Sequence, residues 1–404
     1  MDVLFFIALI IVYLGLNIFI WKRTLGWLRS LHGVLHAKWV TIFFTIIHVL
    51  LAVSPAAYAL FSNDAAKAAV KYISNIWIGV FIYALFFMVL SLLGTFVYRR
   101  VKKIKRGDPV RRRLVAARGA AVAVLILGFS AYGMIHVGTI KTSTYDITVH
   151  KACASGDRLK IVLVADMHMG YSIGKKQMAE MAEKINAQKP DLVCIAGDIF
   201  DNDYSALQNP ERLMEIYRSI KSKYGVYACY GNHDVAENLV GGFTVPFGGK
   251  TINENEMNDF LRKSNVKLLQ DQTELVDQAF YLIGRRDASK PGTESASRKS
   301  IEELLAGVDQ RKPVLLLDHQ PKELQEIADA GVDVDLSGHT HDGQIFPGNL
   351  TIRMMWENAC GYLKKGDMHS IVTSGVGIWG PAMRVGTDSE IAVINITFDN
   401  RTAE

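Results

Sequence analysis

Five short segments of this 404-residue chain concentrate carboxylates, imidazoles and an amide: Asp166-Met167-His168, Gly197-Asp198-Ile199-Phe200-Asp201, Gly231-Asn232-His233-Asp234, Asp318-His319 and Gly338-His339-Thr340-His341. Oxygen and nitrogen donors without a thiolate suit Mn, Fe or Zn in a hydrolytic centre better than a structural zinc cluster. Roughly seven such groups exceed what one ion needs, whereas two ions about 3.5–4 Å apart share a carboxylate and clamp both the attacking and departing oxygens of a phosphoryl group. Any single histidine is better read as a core or surface residue, and His32, His36, His48, His136, His150 and His369 keep that reading. The motif histidines escape it together, through their common position in the chain.

That position is the end of an apolar run. Leu159 to Ala165, Leu192 to Ala196, Val226 to Tyr230, Val314 to Leu317 and Val332 to Leu336 read as buried strands, and each leads into one of the five segments. Met178, Met181, Ala182 and Ile185, then Leu213, Ile216, Tyr217 and Ile220, recur at helical spacing between the first three. The alternation predicts β-α-β units around a largely buried sheet, and the carboxyl ends of its strands gather ligands into one cleft. Glycine before Asp198, Asn232 and His339 allows tight turns beside the ions. Ala236 to Thr251, with four glycines, reads as a mobile loop near this cleft, and Ala288 to Arg298 as a second loop.

The order D-x-H, G-D-x-x-D, G-N-H-D, a lone His and G-H-x-H resembles the calcineurin-like metallophosphoesterases, in particular their bacterial membrane-anchored branch. The resemblance covers about residues 159–396 and implies a four-layer α/β/β/α sandwich with a dinuclear site. It implies that Asp166, His168 and His341 hold one metal, that Asn232, His319 and His339 hold the other, and that Asp198 bridges them. His233 would be the phosphate-contacting acid and Asp234 would orient its imidazole, with in-line attack by a metal-bound hydroxide. Asp201 is read either as a metal ligand or as a turn or supporting residue behind the ligands. Arg384, in a stretch similar to one found late in bacterial members, is a candidate contact for substrate phosphate, with an ordinary exposed arginine as the competing reading.

The front of the chain is of another kind. Up to Val149 it carries 17 Lys and Arg against four Asp, a net +13, while the remainder is −8, so the overall +5 hides two unlike parts. Val3 to Trp21, Trp39 to Phe61, Ile76 to Tyr98 and Gly119 to Ile140 are each close to the ~20 apolar residues that cross a bilayer. Residues 1–141 are therefore expected to form an all-α domain of four transmembrane helices. Residues 142–157 follow as linker and first strand, and 158–404 as the metallophosphoesterase domain. Lys and Arg crowd the first and third loops, with ten from Arg99 to Arg118, and only Lys67 and Lys71 lie in the second. Positive loops stay in the cytoplasm, which puts both termini and the catalytic domain outside.

The expected function is a membrane-anchored phosphoesterase with two divalent ions (Mn, Fe or Zn). Phosphodiesters of lipid or envelope substrates are favoured over monoesters, because a tethered site meets headgroups readily. The alternative is a transporter or receptor with a non-catalytic, metal-dependent binding module; transporters usually keep ionisable groups within their spans, which here offer chiefly His48 and His136. The acidic back half argues against a nuclease, and no nucleic-acid partner is expected. Cys153, Cys194, Cys229 and Cys360 are widely spaced and form no C-x-x-C pair, and Cys194 and Cys229, inside apolar strand-like runs, read as buried free thiols.

Overall fold

The computed structural model describes residues 3–103, 109–235, 239–240, 243–244, 254–290 and 297–399. Most of the loop expected from Ala236 to Thr251, and the centre of the one from Ala288 to Arg298, lie outside the described residues. The chain divides into two compact units, one built on residues 1–135 and the other on most of residues 136–404.

Among the described residues, four α-helices make the first unit: α1 (Val3–Leu31), α2 (Lys38–Ala57), α3 (Asp64–Val101) and α4 (Pro109–His136). All four are long and apolar enough to cross a membrane. Their large apolar side chains point outward, among them Ile11, Leu50, Leu93 and Leu127, the reverse of a water-soluble bundle. A small interior of Ile20, Trp77, Phe81 and Ala84 holds the helices together. Inside it, the Trp77 indole donates to Tyr13 Oη at 3.1 Å and Tyr13 donates to the Ala52 carbonyl at 2.9 Å. Polar groups that cannot reach water are thereby paired. Helix α3 starts at Asp64 rather than Ile76, because the Asn63 side chain caps it by accepting from Ala66 N at 3.0 Å. Ile140, expected as the end of the fourth span, instead opens a strand.

The second unit begins with β1 (Ile140–Val149) and β2 (Arg158–Val164), then α5 (Lys175–Gln188), β3 (Leu192–Ala196), α6 (Pro210–Arg218) and β4 (Val226–Cys229). Next in chain order, the two-residue strands β5 (Leu239–Val240) and β6 (Phe243–Thr244) pair with each other and are grouped with the first unit. Then come α7 (Glu254–Lys263), β7 (Val266–Leu268), β8 (Gln272–Val276), β9 (Phe280–Gly284), α8 (Ile301–Leu305), β10 (Val314–Leu317), α9 (Leu324–Asp329) and β11 (Val334–Ser337). The chain closes with α10 (Gly348–Met355), β12 (Gly361–Lys365), β13 (Met368–Val372) and β14 (Ser389–Phe398).

Two six-stranded sheets result among the described residues, in the orders β1-β14-β2-β3-β4-β7 and β12-β13-β11-β10-β9-β8. β2, β3, β4 and β7 run parallel, as do β9, β10, β11 and β13, while β14, β8 and β12 pair antiparallel with β2, β9 and β13. Period-two alternation explains the layering. Leu315 and Leu317 of β10 turn inward, where they meet Ile161 and Leu163 of β2, Cys194 of β3 and Ile394 of β14 in the core between the sheets. Val314 and Leu316 turn outward against Ile301, Leu304 and Ile327 of the covering helices. The architecture is a four-layer α/β/β/α sandwich. β1, which falls at the boundary expected to be linker and first strand, is an integral edge of the first sheet, in parallel register with β14 from Ile140↔Ser389 to Val149↔Phe398.

Candidate metal centre

The carboxyl ends of β2, β3, β4, β10 and β11 deliver the five segments to one place, where, among the described residues, three groups of candidate ligands lie close together. Asp166, His168 and His341 form one group, and Asp198, His319 and His339 another. In the first, His168 Nε2 faces His341 Nε2 at 3.1 Å and His341 Nε2 lies 3.7 Å from Asp166 Oδ1. In the second, His319 Nε2 lies 3.2 Å from both His339 Nδ1 and Asn232 Oδ1. Asp198 Oδ2 stands between the groups, 3.6 Å from His168 Nε2 and 3.1 Å from His319 Nε2. Asp201 approaches His168 Nδ1 from behind at 3.8 Å and, with His168 and His233, makes the third group.

The donor set fits a pair of divalent cations. Ring nitrogens converge on one another here, an arrangement that a cation between them would satisfy. The His319 Nδ1–H donates to the Ala196 carbonyl at 2.7 Å, which leaves Nε2 free as a ligand. Burial pushes His168 and His339 down to about 3, so both are neutral and ready to ligate at neutral pH. Burial also pushes Asp166 up to about 7, a preference that divalent cations reverse.

The backbone is bent to make this convergence. Asp166, His168, Asp198, His339 and His341 all have positive φ, between 44° and 72°, at a cost of order 1 kcal/mol each for residues with a Cβ. Gly197 (φ 75°) sits so close that a Cβ would lie 2.6 Å from Gly231 N and 2.7 Å from His319 Nδ1. That requirement explains one of the glycines visible in the motifs.

Two expected roles need correction. Asp234 does not orient His233: its carboxylate accepts from Ile199 N and Phe200 N at 2.8 Å each and from Gly231 N at 2.7 Å, so it ties the β3 and β4 loops together. The partner of His233 Nδ1 is the Asn202 side-chain oxygen, and Asn202 is itself fixed by donating to the Val235 carbonyl at 2.9 Å. The sequence carried a signal, since Asn202 directly follows the G-D-x-x-D segment, but the adjacent aspartate offered the simpler pairing. Asn202→Ala is expected to lower kcat about 10–100-fold with little change in KM, the usual effect of removing an orienting partner. An unchanged kcat for a phosphate-ester substrate would reassign Asn202 to a purely structural role.

Arg384 is the second correction. It is fully buried, and its guanidinium donates to the carbonyls of Ser374 (2.6 Å), Gly377 (2.7 Å) and Gly375 (3.2 Å) and lies 3.3 Å from His341 Nδ1. Those donors are directed at the protein rather than at a substrate. Asp318, in the Asp318-His319 segment, also turns away from the centre. Arg298 clamps it with two hydrogen bonds of 3.0 and 2.6 Å, and Arg285 stands 3.5 Å away. This buried ion pair fixes the strand end that carries His319, and periodicity gave no sign of it.

A two-sheet sandwich with two adjoining groups of oxygen and nitrogen ligands at its strand ends defines a metal-dependent hydrolase of phosphate esters. The family model for calcineurin-like phosphoesterases matches residues 159–343, the stretch that carries all five motif segments. An uncharacterized metallophosphoesterase of Campylobacter jejuni is 26% identical over 422 residues, covering 98% of this chain and 99% of that one. A transmembrane protein with metallophosphoesterase domain from Danio rerio is 27% identical over 393 residues, covering 94% and 85%. A metallophosphoesterase of Bacillus subtilis is 27% identical over 318 residues, covering 74% of this chain and all of its own. Four apolar helices and a transmembrane relative make this a membrane protein.

Proposed function

We propose that the protein is a membrane-anchored phosphodiesterase acting on lipid-linked or envelope phosphodiesters, with its catalytic domain on the extracytoplasmic side. The observation that carries the hydrolytic part is the position of Asp198 Oδ2 between the two ligand groups. Two divalent ions held there would supply the nucleophile and neutralise phosphoryl charge.

The chain's own residues do the rest. His233 is nearly buried, its backbone N–H donates to Asp198 Oδ1 at 2.7 Å, and Asn202 holds its Nδ1, so its Nε2 is the nitrogen left to pass a proton to a departing oxygen. Burial lowers the pKa of His233, against the opposing charge of Asp198, which makes the protonated ring a stronger acid. Trp379 lies 5.9 Å from the His233 ring and Trp356 packs edge-on against His339 at 5.2 Å. These indoles give the centre apolar flanks, which supports a substrate with an apolar part.

Hydrolysis of bis-p-nitrophenyl phosphate and p-nitrophenyl phosphate with added Mn²⁺ tests the preference. The diester is expected to turn over faster, and faster monoester turnover overturns the diesterase reading. The outward orientation rests on the Lys and Arg of the first and third loops. Reporter fusions to the C-terminus check it, and a cytoplasmic C-terminus would redirect the search to cytoplasmic substrates.

A further inference from the structure

Among the described residues of the second unit, the large hydrophobic side chains left exposed are Leu350, Met354, Met355 and Tyr362. The first three lie on one eight-residue helix, α10, at 57%, 86% and 77% exposure, and no residue of that helix is buried. Scattered exposed apolar residues need no explanation, but three concentrated on one helix of a domain that otherwise hides them do. Helix α10 is also tied to the metal centre through its C-terminal end. Arg353 pairs with Asp342, the neighbour of His341, through bonds of 3.1 and 3.0 Å, and the helix runs directly into Trp356, which packs on His339.

We infer that α10 is a bilayer-contacting helix that seats its Leu350, Met354 and Met355 side chains in the membrane interface and presents amphiphilic phosphate esters to the adjoining centre. The chain itself supplies the argument for a bilayer as the occupant. Only Val137, Gly138 and Thr139 separate α4 from β1, a tether of roughly 10 Å when extended, so the domain is held at a membrane surface. Short helices with exposed Leu and Met and a basic neighbour such as Arg353 lie in the headgroup region with their apolar side chains immersed. The part concerning substrate delivery rests on the phosphoesterase reading, whereas membrane contact by α10 does not.

The test uses the full chain in vesicles of phosphatidylcholine and phosphatidylglycerol with brominated acyl chains, with Cys153 and Cys360 replaced by serine. A bimane fluorophore on Met354→Cys is expected to be quenched about twofold or more, and the same label on Arg311→Cys, exposed at the opposite end of β10, is expected to keep its emission. Equal emission from both sites overturns the inference. In a second arm, the triple variant Leu350→Gln, Met354→Gln, Met355→Gln should hydrolyse bis-p-nitrophenyl phosphate at the wild-type rate while losing about tenfold on a phosphodiester lipid embedded in the same vesicles. Equal loss on both substrates, or a change in oligomeric state on substitution, shows that the face packs against protein and sinks the proposal. If wild type cleaves neither substrate while Met354→Cys is still quenched, the phosphoesterase reading fails and the membrane contact stands.

Discussion

Asp198→Ala is expected to lower hydrolysis of a phosphodiester substrate by about 10³-fold or more and to reduce bound metal from two ions per chain toward none. The size follows from its position, because Asp198 is, among the described residues, the carboxylate within reach of both ligand groups, 3.6 Å from His168 Nε2 and 3.1 Å from His319 Nε2. Losing a terminal ligand such as His341 weakens one ion, whereas losing the shared carboxylate removes a ligand from each and leaves two like charges facing without an anion between them. Burial raises the pKa of Asp198, yet the charges of His319 and His233 override it and hold the carboxyl well below its ordinary range. It is therefore an anion at any working pH, as a bridge must be. Elemental analysis of purified protein alongside the rate gives two readouts. A variant that keeps two ions and half its activity would falsify the bridging role.

The strand ends that carry this centre are legible because each buried parallel strand is a short apolar run stopping at a polar residue. β3 and β10 occupy the residues read from the sequence, Leu192–Ala196 and Val314–Leu317. The second sheet's edges are not legible. β8 and β12 are half-exposed, with charged residues such as Glu274 and Lys364 inside them, and their pairing is decided by neighbours whose own course no local pattern states. The same distinction separates ligands from their supports. Residue type and spacing single out His319 as a metal-binding side chain, but its backing by Arg298 and Arg285 through Asp318 depends on how distant loops return to the site. Asn202 takes the place expected of Asp234 for this reason: adjacency in sequence suggests a pair, and the turn after Asn232 points the Asp234 carboxylate at backbone N–H groups instead.

Arg384→Met is expected to destabilise the catalytic domain by about 3–4 kcal/mol, read as a lowered midpoint in denaturant, and to reduce activity in proportion to the folded fraction. A substrate-contacting arginine behaves otherwise, raising KM about tenfold or more while leaving stability nearly unchanged. The geometry decides between them. Arg384 is fully enclosed, and burial lowers its pKa only to about 10, so it remains a cation at neutral pH. Its donors satisfy the carbonyls of Ser374 and Gly377 in a glycine-containing turn, and share the Gly375 carbonyl with the Glu390 N–H of β14. Methionine fills a similar volume but donates nothing, which leaves the Ser374 and Gly377 carbonyls without that donor, each at a cost of about 1–3 kcal/mol before relaxation. Arg384→Lys should recover little, because one ammonium cannot span carbonyls that a planar guanidinium bridges. The loop in question also approaches the ligands: a Cβ on Gly375 would lie 2.6 Å from Asp166 Cβ. Loosening it therefore displaces Asp166 as well as unfolding the chain, so the residual folded fraction of Arg384→Met should bind the metal pair more weakly than wild type.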